Sequence, residues 1–194
     1  GGVFGDPTGR RYGAAGNILA GEGTLEFWVK PTWAGSDGQG HAFLHWGASG
    51  GGMIVLKDGA GNLRGIFNQY GVGGKPEMGV EFGVSSWSAG RWHHVALTWS
   101  SAALQTRLYV DGALKSTAAL PVALPAIADD SFRVGGGWGG NESRSVLDEI
   151  RIYGTARTTA EIQGDDAQEL TLHPSLVRAF ENSVVGVDGE NPST

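Results

Sequence analysis

The chain has 194 residues, of which 40% are hydrophobic and only 18% are charged, and its formal net charge is −6. This acidic balance argues against nucleic-acid binding, because such proteins need a basic stripe to displace counterions from phosphates. The sequence has no run of about 18 apolar residues, so we expect no membrane-spanning helix, and without cysteine it forms neither disulfides nor thiolate metal sites.

Period-two alternation of apolar and polar residues predicts a series of short β-strands. In the strand Thr24–Lys30, the side chains of Leu25, Phe27 and Val29 share one face, and Pro31 ends the strand because it lacks a ladder donor. Glycine-containing turns separate the later runs, which is typical of a sandwich or barrel. These runs are His41–Trp46, Met53–Lys57, Leu63–Tyr70, Met78–Val84, His93–Trp99, Arg107–Val110, Phe132–Val134 and Val146–Tyr153.

The dipeptide Asp111-Gly112 predicts a tight hairpin. A type I′ turn needs positive φ at both central residues, and Asp-Gly adopts that conformation at low cost. We therefore expect Tyr109-Val110 and Ala113-Leu114 to pair.

A capping box near the C-terminus predicts one short helix. The Thr158 hydroxyl and the Glu161 carboxylate would each satisfy a free amide of the first turn. We expect Gly164-Asp165-Asp166 to end the helix after one or two turns. Beyond it, Leu170-Thr171-Leu172 and Val184–Val187 look β-prone.

An ordered set of segments extends along most of the chain. The segments are Gly23–Pro31, Phe43–Gly47, Trp92–Trp99, Leu108–Gly112, Phe132–Gly136 and Leu147–Tyr153, closed by Ala156–Ile162. In order and spacing they resemble the laminin-G-like (concanavalin A-like lectin/glucanase) jelly-roll family over about residues 16–163. The resemblance implies an all-β, antiparallel two-sheet jelly-roll sandwich with one short C-terminal helical turn, and a concave face that often binds glycans.

The resemblance also implies a structural calcium ion, for which the matching aspartate is Asp148. Strand alternation places Asp148 on the face of Ile150 and Ile152, where a carboxylate drawn inward needs a partner. The alternative is that Asp148 accepts hydrogen bonds from backbone amides while Glu149 pairs with an arginine.

Loop residues provide the candidate ligand site. Trp138 lies between glycine clusters and is followed by Asn141, an arrangement in which a ring and an amide would hold a sugar. Trp138 would equally pack on its own sheet edge or contact another subunit. The candidate ligand-binding residues are Trp138, Asn141, Trp33 and Tyr70.

The histidines and the strand tryptophans are assigned to packing. His41 and His45 are four apart, which puts them on one face of a strand but too far apart to hold one ion. Neighbouring His93 and His94 point to opposite faces. We expect Trp28, Trp46, Trp92 and Trp99 to pack in the core or on a sheet face.

No predicted strand contains the two carboxylates, spaced by two, that glycanases of this fold carry. The sequence therefore predicts a non-catalytic extracellular or cell-surface module that binds or adheres to a glycan or cell-surface polysaccharide. One alternative is a structural subunit that forms a homo-oligomer, filament, tube or surface layer through its terminal segments, and a second is a polysaccharide-degrading enzyme. We divide the chain into a jelly-roll domain, 1–166, and a tail, 167–194, packed on its own domain or on a neighbouring subunit.

Overall fold

The structure is a computed structural model that describes residues 2–4, 9–14, 18–48, 51–68, 78–120, 131–136 and 141–172. These residues form two antiparallel sheets and one helix. The strands are β1 (Gly2–Phe4), β2 (Arg10–Gly13), β3 (Glu22–Pro31), β4 (His41–Ala48), β5 (Gly51–Lys57), β6 (Asn62–Asn68), β7 (Met78–Gly83), β8 (His93–Ser100), β9 (Gln105–Val110), β10 (Ala113–Ala119), β11 (Ser131–Val134) and β12 (Ser145–Tyr153), and the helix is α1 (Thr159–Leu172).

Each sheet has six strands. Sheet A has the order β1-β12-β3-β8-β9-β10, and sheet B has the order β2-β11-β4-β5-β6-β7. Every apolar run predicted from the sequence contributes to a strand, so the predicted all-β sandwich is confirmed. Among the described residues, no helix is both long and apolar enough to cross a bilayer.

The core lies between the two sheets and uses the predicted alternation. Leu25, Phe27 and Val29 of β3 are fully buried in it, and Trp99 is 1% exposed. Two smaller apolar clusters lie on the outer faces of the sheets. One of them joins Ile162 of α1 to sheet A, which shows that the helix packs on that outer face.

The antiparallel order brings five connections to one end of the sandwich, which we call the loop end. They are residues 32–40, 58–61, 84–92, 111–112 and the described part of the connection between β11 and β12, residues 135–136 and 141–144. Backbone hydrogen bonds join them, such as Gly35 N to Trp87 O at 2.8 Å and Val84 N to Gly61 O at 2.8 Å. The predicted hairpin is confirmed at this end, with φ of 50° at Asp111 and 67° at Gly112.

A β-bulge in β4 changes the predicted orientation of two histidines. The register shifts between Ala42 and Leu44, so that His41 lies opposite Lys57 and His45 lies opposite Ile54. Directly paired residues point to the same face of a sheet. The two histidines therefore lie on opposite faces, and the prediction that they share a face is wrong because the bulge adds one residue.

A second bulge, in β12, reorients Asp148. The register shifts between Asp148 and Arg151, which places Asp148 opposite Trp28 and Ile152 opposite Leu25. Leu25 faces the core, whereas Trp28 lies on the outer face of sheet A. The prediction that Asp148 shares a face with Ile152 is therefore wrong, and the carboxylate lies on the outer face.

Helix α1 begins as predicted but is longer than predicted. The Glu161 carboxylate accepts a hydrogen bond from Thr158 N at 2.7 Å, which confirms the capping box. The helix continues through Gly164 to Leu172, so the predicted stop at Gly164 and the β-like assignment of residues 170–172 are wrong. Tertiary contacts override the cost of a helical glycine, about 1 kcal/mol, because Ile162 is buried against sheet A. The helix also crosses the position 166/167 at which we divided the chain.

The N-terminal strands belong to the chain's own sheets. β1 pairs with β12, and β2 pairs with β11. This backbone pairing shows that the described N-terminal strands fold back onto the chain's own sandwich. The β-prone stretch Val184–Val187 lies outside the described residues.

Candidate functional site

Two of the predicted ligand-binding residues lie at the loop end. Trp33 is 7% exposed, and its Nε1 donates a hydrogen bond to Ser143 O at 2.9 Å. Its ring stacks on His41, with centroids 4.3 Å apart. Asn141 is half-buried. A Cβ at Gly40 would come within 3.1 Å of the Asn141 amide nitrogen, so the amide packs on the 32–40 loop.

The other two predicted residues, Trp138 and Tyr70, lie outside the described residues. The strand before Tyr70 ends at Asn68, at the end of the sandwich opposite the loop end. Of the four predicted residues, Trp33 and Asn141 therefore have a described position, and the grouping with Trp138 and Tyr70 stays a prediction.

Hydrogen bonds join the loop of residues 32–40 to residues 141–144. The Thr32 hydroxyl donates to Arg144 O at 2.7 Å, and the Thr32 amide donates to the same carbonyl at 3.1 Å. The Nδ1 atom of His41 lies 3.2 Å from Glu142 O. These contacts fix residues 141–144 against residues 32–41.

A buried lysine anchors the same region. Lys57 is fully buried and pairs through its ammonium with the Asp37 carboxylate, while donating to Gln39 O at 2.9 Å. The other Asp37 oxygen lies 2.7 Å from His41 Nε2. Burial opposes ionisation of Asp37, but the hydrogen bonds from Lys57 and His41 outweigh it and lower its pKa from 3.8 to about 2. Asp37 is therefore a fixed anion that balances the buried ammonium, and not a proton acceptor near neutral pH.

Asp148, the predicted calcium ligand, makes local contacts. Its Oδ1 accepts a hydrogen bond from the Glu149 amide at 2.9 Å. Glu149 in turn pairs with Arg151 at 2.8 Å. Within the described ranges, no group of three or more histidine or acidic side chains is arranged to hold a metal ion.

Sequence reasoning missed a groove between the edges of the two sheets. The groove lies where β7, the edge of sheet B, meets β10, the edge of sheet A, and its volume is about 310 Å³. Its lining combines aliphatic groups with a guanidinium, a carboxylate and two hydroxyls. The lining residues are Arg64, Ile66, Met78, Gly79, Val80, Glu81, Ser116, Thr117 and Ala118.

The polar groups of the groove come from both sheets. Arg64 and Glu81 are direct cross-strand partners, with Arg64 Nε 3.6 Å from Glu81 Oε2. Both side chains are substantially exposed, at 32% and 64%. Ser116 and Thr117 face them from β10, just after a bulge between Leu114 and Ser116. A ligand in the groove would therefore meet hydrogen-bonding groups from two directions.

Solved structures with the same fold include receptor-binding domains of botulinum neurotoxins. The ligand-binding domain of serotype D in complex with N-acetylneuraminic acid aligns with a TM-score of 0.67 and 10% identity, covering 88% of this chain and 44% of that chain. The mosaic C/D receptor-binding domain aligns with a TM-score of 0.63 and 12% identity, covering 78% and 37%. The serotype D receptor-binding domain aligns with a TM-score of 0.65 and 14% identity, covering 82% and 39%. This chain thus spans about two fifths of those chains, and the likeness shows the fold.

A comparison with curated proteins found no match. The family comparison did find one, and it covers most of β2, all of β3–β12 and the first residues of α1. The chain belongs to the concanavalin A-like lectin/glucanases superfamily, whose laminin-G-like family profile matches residues 11–163.

Proposed function

We propose that this chain is a non-catalytic carbohydrate-binding module whose ligand lies in the groove between β7 and β10. The groove is the observation that carries the proposal. Its volume of about 310 Å³ is at the lower end of the range for small-molecule sites, which combine apolar lining with a few polar groups. That size suits one or two sugar rings better than a long oligosaccharide.

The lining matches the chemistry of a pyranose. Arg64 donates hydrogen bonds, Glu81 accepts them, and the hydroxyls of Ser116 and Thr117 do both. Vicinal sugar hydroxyls need such a mixture of donors and acceptors. The aliphatic groups of Ile66 and Val80 supply a surface for the C–H face of the ring.

The same lining favours binding over cleavage. Glu81 is the one carboxylate among the described residues of the groove. Glycoside hydrolysis ordinarily needs two carboxyl groups on either side of the scissile bond. The sugar would therefore be held but not hydrolysed.

The relatives support a sugar as the ligand class. The superfamily description names lectins, and one of the solved structures of this fold belongs to a complex with N-acetylneuraminic acid. A glycan partner also supports an extracellular or cell-surface location for this chain.

A glycan array followed by calorimetry tests the proposal. Arg64→Ala and Glu81→Gln change the groove, and Asn141→Ala changes the loop end as a matched control in the same fold. We expect the groove variants to weaken binding by about tenfold or more, since each lost charged hydrogen bond costs roughly 1.5–3 kcal/mol. If only Asn141→Ala lost glycan binding, the site would lie at the loop end and not in the groove. Failure of the wild type to bind any glycan would refute the proposed function.

A calcium ion bound by Asp148 is a separate proposal, supported by the family resemblance. The carboxylate lies on the outer face of sheet A, where one oxygen already accepts the Glu149 amide. Thermal unfolding with calcium and with a chelator tests it. A rise of Tm in calcium that disappears in Asp148→Asn would support the site, and equal Tm values in the wild type would refute it.

Self-assembly stays a prediction, and it depends on the tail. β1 and β2 already pair within the chain's own sheets. An assembly segment would therefore lie beyond α1, in residues outside the described ranges. Light scattering of the full chain and of a chain ending at 172 tests this, because a monomer in both cases would exclude it.

A further inference from the structure

Glu26 is a carboxylate buried on the outer face of sheet A, beneath α1. Its side chain is 1% exposed, and its strand partners on either side are Ala96 and Arg151. Its Oε1 lies 3.5 Å from Arg157 Nε, and its Oε2 lies 3.8 Å from His94 Nε2. Neither oxygen accepts a hydrogen bond in the described part of the chain. An ionised carboxylate is costly in such a position.

Helix α1 brings two more carboxylates to the same place. Asp165 pairs with Arg157 at 2.6 Å, so Glu26 and Asp165 share one guanidinium. Asp166 lies next in the helix, with its Oδ1 3.9 Å from His94 Nδ1. With all three ionised, the negative charge exceeds that of Arg157.

The remaining charged and titratable groups around the cluster do not cancel this excess. Arg151 pairs with Glu149 at 2.8 Å, and this carboxylate neutralises much of the positive charge of Arg151. Asp111, in the β9–β10 turn, adds a further carboxylate close to Asp166. The titratable and charged groups of the cluster are Glu26 from β3, His94 from β8, Asp111 from the turn (itself paired with His93 on the other face of β8), Glu149, Arg151 and Tyr153 from β12, Arg157 from the segment before α1, and Asp165 and Asp166 from α1.

A bound proton relieves the excess charge. Burial and then the charge of Asp165 raise the pKa of Glu26 from 4.5 to about 7, against the opposing charge of Arg157. The pKa of Asp166 is raised as well, by burial and by Asp111. The interface between α1 and sheet A thus holds a proton close to neutral pH.

Few other described contacts hold the helix. Ile162 packs on Ala96 and Tyr109, and the hydroxyls of Tyr109 and Thr159 lie 3.2 Å apart. The segment before the helix is attached independently, since the Thr24 hydroxyl donates to Thr155 O at 2.7 Å. This attachment leaves α1 with a fixed starting point.

We propose that α1 is a proton-controlled latch, docked on sheet A while the buried Glu26 side chain is protonated and weakened when Glu26 ionises beside the carboxylates of the helix. A group with a raised pKa stabilises the docked state below its ordinary value and loses that contribution as the pH rises through its raised value. For Glu26 the stabilisation is complete below pH 4.5 and lost around pH 7. The latch is therefore tight in acid and loose in base.

Hydrogen exchange of the full chain tests the latch. Protection factors of α1 amides, corrected for intrinsic exchange rates, are compared at pH 5.5 and 8.5, with amides of β8 and β9 as the internal reference. We expect α1 protection to fall by about tenfold or more at the higher pH, since each unit of pKa shift is a tenfold change in the equilibrium. The reference amides should keep their protection, which separates undocking from global unfolding.

The decisive comparison is between the pH dependence of α1 protection in Glu26→Gln and in the wild type. The amide keeps the shape of the side chain without its charge, so α1 protection should lose most of its dependence on pH, with a smaller response left from Asp166. Asp165→Asn removes the nearest charge but leaves Glu26 buried, so it should reduce the response by less, and it serves if the first variant does not fold. Glu142→Gln, whose carboxylate pairs with Arg144 and contacts no residue of α1 among the described contacts, should leave the wild-type response unchanged. Protection that is equal at both pH values in the wild type, or that falls equally in Glu26→Gln, would overturn the proposal.

Discussion

Trp33 and His41 stack face to face, with ring centroids 4.3 Å apart and only 3° between their planes. The contact joins the loop after β3 to the start of β4 and covers part of the tryptophan ring. Lys57 lies near the same tryptophan, with its Nζ 5.4 Å from the ring centroid. Trp33 therefore holds the loop end together and has little ring surface left for a ligand.

Trp33→Ala should destabilise the fold strongly. Truncation of a buried tryptophan costs about 3–5 kcal/mol, because apolar contacts are lost and a cavity forms. Trp33→Phe keeps most of the packing and loses the hydrogen bond to Ser143, so its cost should be smaller. Urea unfolding of the three proteins measures both effects, and a cost below about 1 kcal/mol for the alanine variant would contradict the anchoring role.

Removing one partner of the ion pair between Asp37 and Lys57 should destabilise the protein more than replacing both partners with uncharged residues. Asp37→Ala leaves a fully buried ammonium without its carboxylate, which typically costs about 3–5 kcal/mol. The double variant Asp37→Ala, Lys57→Met removes both charges and should recover much of that loss. A double-mutant cycle at pH 7 measures the difference, and a double variant no more stable than Asp37→Ala would refute the explanation.

Acid should weaken the loop end through Asp37. Its pKa is lowered from 3.8 to about 2, so its contribution to stability is complete above pH 3.8 and lost as the pH falls through about 2. Unfolding free energies of the wild type between pH 5 and 1.5 should decline in that window. The same curve for the Asp37→Ala, Lys57→Met variant should decline less, and an identical decline would contradict the assignment.

Gly79→Ala should distort the wall of the groove. A Cβ at this position would lie 2.3 Å from the backbone oxygen of Gly65, a contact that only a backbone shift relieves. Overpacking of this kind typically costs about 1–3 kcal/mol. The matched control is Gly83→Ala in the same strand, where the nearest atom is 3.9 Å away. Thermal unfolding should separate the two variants, and equal Tm values would contradict the predicted clash.

The fold could be predicted from the sequence because strand alternation and turn residues are local signals. The hairpin at Asp111-Gly112 and the capping box at Thr158 each depend on a few neighbouring residues. The two β-bulges have no comparable local signal in the sequence. The bulge in β4 puts His45 on the face opposite to the predicted one. The bulge in β12 does the same for Asp148. Helix α1 passes Gly164 because of contacts with a distant sheet.

The groove had no signal in the sequence for a similar reason. Its polar residues come from β6, β7 and β10, which belong to different sheets. Arg64 and Glu81 are far apart along the chain, and only the register of β6 with β7 makes them partners. The sequence predicted ligand binding by tryptophans in loops, where an aromatic ring can contact a sugar. Trp33, however, is buried.

An NMR titration with the glycan that binds most tightly on an array tests the central claim most directly. The proposal predicts that the largest amide shifts occur in β7 and β10, around Glu81 and Thr117, and that Arg64→Ala needs about tenfold more glycan to produce them. Shifts confined to the loop-end residues 135–136 and 141–144, or no shifts with any glycan, would contradict it.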